Sequence, residues 1–191
     1  LFQELEFHTL LGRLPGLPPA DASAPATALP RGEAEDRNYA TVDDEAELQV
    51  LVRRLKATGK FAIDTIATSH LSMQADLVGL AFSTEAGEAW YVPVGHQLGT
   101  QVPKSTALEM LKQVLEDPSV RKVTHNGKFD MTVLANSDVT ILGLEADVTI
   151  AAYLLNSKAL TIKGQAFERL GEENLGFVSG LLFDGLEVQE L

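Results

Sequence analysis

Three apolar runs follow one another between residues 60 and 94, joined by short turns, and this triplet restricts the fold more than any other feature. They are Lys60-Phe61-Ala62-Ile63-Asp64-Thr65-Ile66, then Leu77-Val78-Gly79-Leu80-Ala81-Phe82-Ser83, then Ala89-Trp90-Tyr91-Val92-Pro93-Val94. Short runs of this composition, bounded by turn residues, read as strands expected to pair in one sheet. Glu85-Ala86-Gly87-Glu88 reads as a hairpin connection, although not one of the tight two-residue forms. After this triplet the period changes. Residues 106–116 follow Pro103 as a helix with Leu108, Leu111, Val114 and Leu115 as its buried stripe, and Asp117-Pro118 ends it. A strand at 121–124, a helix at 128–136 and a strand at 139–144 come next. Asp147 could cap a helix through Leu155, and residues 162–170 give one more.

Three strands followed by helix, strand, helix, strand and helix is the order of the ribonuclease-H-like α/β fold, a mixed sheet with flanking helices. A fold of that kind names no function by itself. Upstream, residues 1–14 carry Leu1, Leu5, Leu10, Leu11 and Leu14 at a helical spacing, and residues 15–35 change to Pro, Ala and Gly, a linker composition. An acidic start at Asp43-Asp44-Glu45-Ala46-Glu47 suits a helix running to about Lys56, with Leu48, Leu51, Val52 and Leu55 inward. The chain therefore divides into a helix and linker over 1–38 and an α/β domain over 39–191. The Gly-rich apolar tail 171–191 has no assignment.

At 191 residues and 45% hydrophobic content the chain can build a real core. No apolar run approaches the roughly 20 residues of a membrane span. The N-terminus lacks both an initiator Met and the basic and apolar regions of a signal peptide, and is read as belonging to a fragment of a longer protein. Without Cys there is neither a disulfide framework nor a thiolate metal site, so a cytoplasmic location is the expectation. The net charge of −12 opposes a dedicated grip on nucleic acid, because phosphates are held mainly by basic side chains. It leaves room for a nuclease, whose site must itself be acidic to hold metals.

Asp64 and Asp130 are the candidate catalytic residues and metal ligands. Asp64 ends the apolar run of the first strand, and Asp130 closes His125-Asn126-Gly127-Lys128-Phe129-Asp130, a turn opening a helix. Residues two apart on a strand share a face, so Asp64 should share its face with Ala62 and Ile66. A carboxylate at the end of a buried strand is unfavourable unless it meets a cation or hydrogen-bond donors. The plainer reading of Asp64 is a strand-end turn former or cap.

The second segment, Lys122-Val123-Thr124-His125-Asn126-Gly127-Lys128-Phe129-Asp130 with Leu134 four residues on, resembles the second exonuclease motif of bacterial family A DNA polymerases. The first motif of that family begins Asp-Thr-Glu, and this chain reads Asp64-Thr65-Ile66. Residues 76–83, 90–96 and 143–157 resemble the family's second strand, third strand and later helix, and 1–11 the segment joining its 5′-nuclease and exonuclease domains. The resemblance covers most of residues 1–170. It implies a 3′–5′ proofreading exonuclease domain using Mg²⁺ or Mn²⁺, with DNA as substrate and polymerase and 5′-nuclease domains in the same polypeptide.

In that family four carboxylates hold two metals: two in the first motif, one in the second, and one in a third motif of form Tyr-x-x-x-Asp. Carried over by position, Asp64 and Asp130 are ligands, Asn126 is a polar contact to substrate, and Ile66 stands where a Glu ligand should be. No third motif is visible beyond Leu170, since Asp184 has Gly180 four residues before it. Tyr39-Ala40-Thr41-Val42-Asp43 spells the pattern but precedes the first strand. His125 has the spacing of histidine-type exonucleases, yet sits in the second-motif position and reads as a strand-end residue. His70 reads as a solvated loop residue near a family contact to the DNA end. Ala146 replaces an aromatic often found beside the substrate.

Three functions follow: a structural module keeping the nuclease fold with hydrolysis lost or much weakened, a working proofreading exonuclease, and an acidic interaction domain for a basic partner. Losing one carboxylate usually cripples a two-metal site, because charge compensation and geometry both depend on it. The structural reading is therefore the leading expectation.

Overall fold

The computed structural model of the chain describes residues 38–155, together with Thr161 and Gly164. The chain divides into two units, Leu1–Pro30 and Arg31–Leu191, and all described residues belong to the second. The helix expected over 1–14, the linker 15–35, the helix 162–170, the tail 171–191 and Asp184 lie outside the described residues. In chain order the elements are β1 (Asn38–Thr41), α1 (Glu45–Thr58), β2 (Lys60–Ala67), a 3₁₀ turn (Ser72–Gln74), β3 (Leu77–Ser83), β4 (Glu88–Pro93), α2 (Lys104–Leu115), β5 (Arg121–Thr124), α3 (Gly127–Ala135), β6 (Leu144–Asp147) and α4 (Val148–Leu155).

The three apolar runs form β2, β3 and β4 of one six-stranded sheet with strand order β1-β4-β3-β2-β5-β6. Strand β3 is antiparallel to both its neighbours, and the remaining pairs are parallel. This mixed sheet with flanking helices is the ribonuclease-H-like α/β arrangement that the element order predicts. The meander places β2 at the centre, where its two faces diverge. Phe61, Ile63 and Thr65 are buried, whereas Lys60, Ala62 and Asp64 are exposed. Opposite residues of paired strands share a face, so Ile63, Phe82 and Trp90 form one row and Asp64, Ala81 and Tyr91 another. The first row belongs to the core: Phe61 meets Phe82 edge-on at 5.8 Å, and Arg54 of α1 stacks 4.7 Å over Trp90.

Helix α1 starts where the Asp44 carboxylate accepts the Glu47 amide at 2.8 Å, and stops at Gly59 in the left-handed conformation, φ 69°. It buries Leu48, Leu51, Val52 and Leu55, as the periodicity predicts, and runs to Thr58 because the glycine, not Lys56, supplies the stop signal. Helix α2 buries Ala107, Leu108, Leu111, Val114 and Leu115. Each fully buried leucine or valine among these contributes roughly 1.5–3 kcal/mol.

One local expectation is corrected, and one strand was not expected at all. The strand expected at 139–144 lies at Leu144–Asp147 instead. Val139 and Ile141 are buried core residues, but their backbone has turned through Asp138 and Gly143, both at positive φ, and joins no ladder. The edge strand β1 carries no alternation that would mark it, since all four residues are exposed. It is held by parallel pairing of Asn38 to Thr41 with Glu88 to Tyr91.

Candidate active site

Asp64 is the fifth residue of an eight-residue strand and pairs with Ala81, so the chain does not turn there. The strand-end reading of Asp64 fails for that reason. Its carboxylate stands on the face that α1 leaves open, beside Ala62 and Ala81. Strand β2 continues to Ile66, which is buried and faces Gly79, and its register shifts between Ile66 and Ala67.

Asp130 arrives from α3. Strand β5 ends at Thr124, the chain reverses through His125 and Asn126, and α3 begins at Gly127. Asn126 holds φ 65° and ψ 49°, a left-handed conformation that asparagine adopts more readily than other side-chain-bearing residues. Asp130 then falls in the first turn of α3. It is almost wholly buried, 1% exposed, and its Oδ1 accepts both the Thr65 amide at 3.1 Å and the Thr65 hydroxyl at 2.6 Å. Asp130 is therefore bonded to the residue next to Asp64, near enough for the Asp64 charge to act on it.

Their electrostatics follow from that placement. Burial pushes Asp130 up from the usual 3.8 to about 7; the Thr65 hydroxyl opposes the rise, the Asp64 charge adds to it, the Thr65 amide opposes it, and Asp147 adds to it. Asp64 is exposed at the surface, yet the protein crowding it raises its carboxyl, against the charge of His125 and the Thr65 amide. His125 thus acts on Asp64, an involvement that its reading as a strand-end residue missed. Asp130 Oδ2 is buried with no hydrogen-bond partner among the described residues.

A third carboxylate, Asp147, also escaped the sequence reading except as a helix cap. It does cap α4, its Oδ1 accepting the Thr149 amide at 2.8 Å. The same oxygen accepts the Asn126 amide at 3.1 Å, and Oδ2 accepts the Gly127 amide at 2.8 Å. Burial acts to raise this carboxyl, but the amides of Gly127, Thr149, Asn126 and Ile150 outweigh it and hold it below the usual range. Sequence spacing alone offers no sign of this 20-residue link.

The other candidates fall as follows. The Asn126 side chain is exposed beside the turn, and His70 is exposed in the loop after β2. Tyr39 lies on β1, separated from β2 by β4 and β3, which removes the Tyr39-to-Asp43 pattern from the site. Ala146 is exposed on β6. Asp43, Asp44 and Glu47 form an acidic cluster at the start of α1. Asp44 already caps that helix, and none of the three belongs to the Asp64–Asp130 site. A groove lined by Glu45, Gln49, Val52, Arg53, Met110 and Gln113 includes no candidate site residue.

A divalent ion of the Mg²⁺ class needs about six oxygen ligands. Asp64 and the unpartnered Oδ2 of Asp130 suit part of one such shell. Ile66, aliphatic and buried, offers nothing to a second, so the described residues do not fit a two-ion centre.

The mixed sheet, with Asp64 on its central strand and Asp130 on the adjoining helix, is the arrangement expected of a 3′–5′ exonuclease domain of the ribonuclease-H-like kind. The sequence profile described as 3′–5′ exonuclease matches residues 39–163. DNA polymerase I of Chloroflexus aurantiacus is 36% identical over 195 residues, 89% of this chain and 21% of that protein. DNA polymerase I of Pseudomonas aeruginosa is 31% identical, spanning 100% of this chain and 22% of its own length. The chain belongs to the 3′–5′ exonuclease domain family of DNA polymerase I. It spans about a fifth of the length of these relatives. Among solved structures, the POL domain of Pol1 from M. smegmatis in complex with DNA primer-template and dNTP is 25% identical, with TM-score 0.57 over 70% of this chain and 23% of that one. RNase D of Escherichia coli shares the fold at TM-score 0.57 and 21% identity, over 74% of this chain and 36% of that one. Among the described residues no helix is long and apolar enough to cross a membrane.

Proposed function

We propose that this domain, within a cytoplasmic DNA polymerase I acting in replication and repair, keeps the proofreading nuclease fold with its hydrolysis lost or much weakened. Its role is then structural: a spacer between a 5′-nuclease domain and a polymerase domain of the same polypeptide. The observation that carries this reading is Ile66, buried on β2 two residues beyond Asp64, where the family places a carboxylate ligand. Two-metal phosphodiester hydrolysis requires ions on both the attacking and leaving oxygens, and each needs its own oxygen ligands. With Asp64 and Asp130 alone, a bound Mg²⁺ stays largely hydrated and poorly positioned. The net charge of −12 further weakens capture of DNA by the domain in isolation.

One observation favours the second reading, a residual proofreading exonuclease. The Oδ2 of Asp130, buried and without a hydrogen-bond partner among the described residues, is an acceptor that a cation would satisfy. In that case Asp64 and Asp130 hold Mg²⁺ or Mn²⁺, and Asn126, exposed beside them, contacts the strand. An end-labelled single-stranded oligonucleotide with millimolar Mg²⁺ or Mn²⁺ separates the two readings. The structural reading expects no shortening from the 3′ end above that of Asp64→Ala. Metal-dependent shortening by the parent, abolished in Asp64→Ala, would establish the second.

A further inference from the structure

The site holds a third carboxylate, and the missing Glu at Ile66 raises the question of whether Asp147 replaces it. We propose instead that Asp147 is a positioning residue for Asp130, fixing the start of α3 through backbone amides, and that it is not a metal ligand. The inference rests on the reading of Asp130 as a site residue, but it concerns where Asp130 is held rather than whether the site hydrolyses DNA.

Three observations carry it. First, both oxygens of Asp147 are engaged: Oδ1 by the amides of Asn126 and Thr149, Oδ2 by the amide of Gly127. A cation on Oδ1 would compete with two amides for that oxygen, and one on Oδ2 would share it with the Gly127 amide. Second, the turn that Asp147 grips is packed without slack. A Cβ at Gly127 would lie 2.3 Å from Thr124 Oγ1 and 3.5 Å from Asp147 Oδ2, and Asn126 is held in the left-handed conformation. Third, the two ends of α3's first turn are fixed by different strands. Gly127 is tied to Asp147, where β6 runs beside β5 with Thr124 opposite Asp147. Asp130, three residues on and near the same helix face, is tied to Thr65 of β2. The links run continuously from β6 through the helix to β2. Releasing the first tie leaves the helix free to tilt about the second, so that Asp130 leaves Thr65 or rotates against it.

The test reads Thr65 directly. Backbone amide resonances of the ¹⁵N-labelled chain are compared for the parent, Asp147→Asn, Asp147→Ala and Asp130→Asn, without metal. In Asp147→Ala the amides of Asn126, Gly127 and Thr149 shift as immediate neighbours, and the Thr65 amide shifts more than those of Phe61 and Ile63 on the same strand. Asp130→Asn shifts Thr65 while sparing Thr149. Asp147→Asn, which retains one acceptor oxygen, restores Thr65 part of the way. If Asp147→Ala does not fold, Asp147→Asn carries the comparison with the same expected order. A Thr65 amide that stays in place while Asn126, Gly127 and Thr149 move overturns the proposal and reduces Asp147 to a local cap. A Mn²⁺ affinity lost in Asp147→Asn with Thr65 unmoved also overturns it and makes Asp147 a ligand. Absence of nuclease activity would leave all of these outcomes readable.

Discussion

Replacing Asp130 by Asn should change the stability of the domain by an amount that depends on pH, with the sign set by burial. In the folded chain the Asp130 carboxyl titrates at about 7, against the usual 3.8 expected when unfolded. The native state therefore keeps a proton that the unfolded chain releases between those values. Stability from this group is fully present below about pH 4 and is lost as pH rises through 7. A shift of about three units at 1.36 kcal/mol each amounts to roughly 4 kcal/mol as an upper estimate. The substituted asparagine would remain neutral throughout, and its side-chain oxygen can still accept from Thr65. At low pH the protonated carboxyl and the amide each leave a polar group unpartnered at the Oδ2 position, so parent and variant should lie within about 1 kcal/mol of each other. At about pH 8.5 the variant should be the more stable, by up to about 4 kcal/mol. The assay is urea unfolding of both proteins in chelator-treated buffers across this range. A difference that does not change with pH, or a variant less stable above neutrality, would refute the burial argument. Adding Mn²⁺ at high pH should stabilise the parent alone if Asp130 binds the ion, as native-state binding requires.

Three further outcomes are expected. Asn126→Gly should leave stability within a few tenths of a kcal/mol, whereas Asn126→Ala should lose about 1 kcal/mol, because alanine is strained at φ 65°; thermal unfolding of both variants checks this. Gly79→Ala should destabilise by roughly 1–3 kcal/mol, since its Cβ would lie 2.1 Å from the Tyr91 hydroxyl, which hydrogen-bonds His96 Nε2 at 2.6 Å; a melting temperature equal to the parent's would show that the strands shift freely. Ile66→Glu should lower stability by several kcal/mol at pH 8 through burial of a charge beside Asp64 and Asp130, and should not by itself restore hydrolysis in the oligonucleotide assay; rescue by this single change would mean that the remaining ligand is present elsewhere in the chain.

The linear order of residues determined which elements this chain builds and which residues stand as candidates for its site. The apolar triplet between 60 and 94, the stripes Leu48-Leu51-Val52-Leu55 and Leu108-Leu111-Val114-Leu115, and the stop signals around them depend on local period, and each became the expected strand or helix. Asp64, Ile66 and Asp130 stand out as candidates for a similar reason, because a motif is a short-range spacing and an aliphatic residue at a carboxylate's position is visible in it. Hydrophobic patterning reports burial and not backbone pairing. Val139 and Ile141 therefore suggested a strand where the chain only turns through the core, and β1, with no buried side chain, gave no signal at all. Only the tertiary structure decided that Asp64 stands mid-strand, that His125 acts on it, that Thr65 binds Asp130, and that Asp147 grips the turn 20 residues before it. Those contacts join strands and helices brought together by the sheet order. Hydrogen bonds across such distances depend on where the core places each backbone, which no local window of sequence contains.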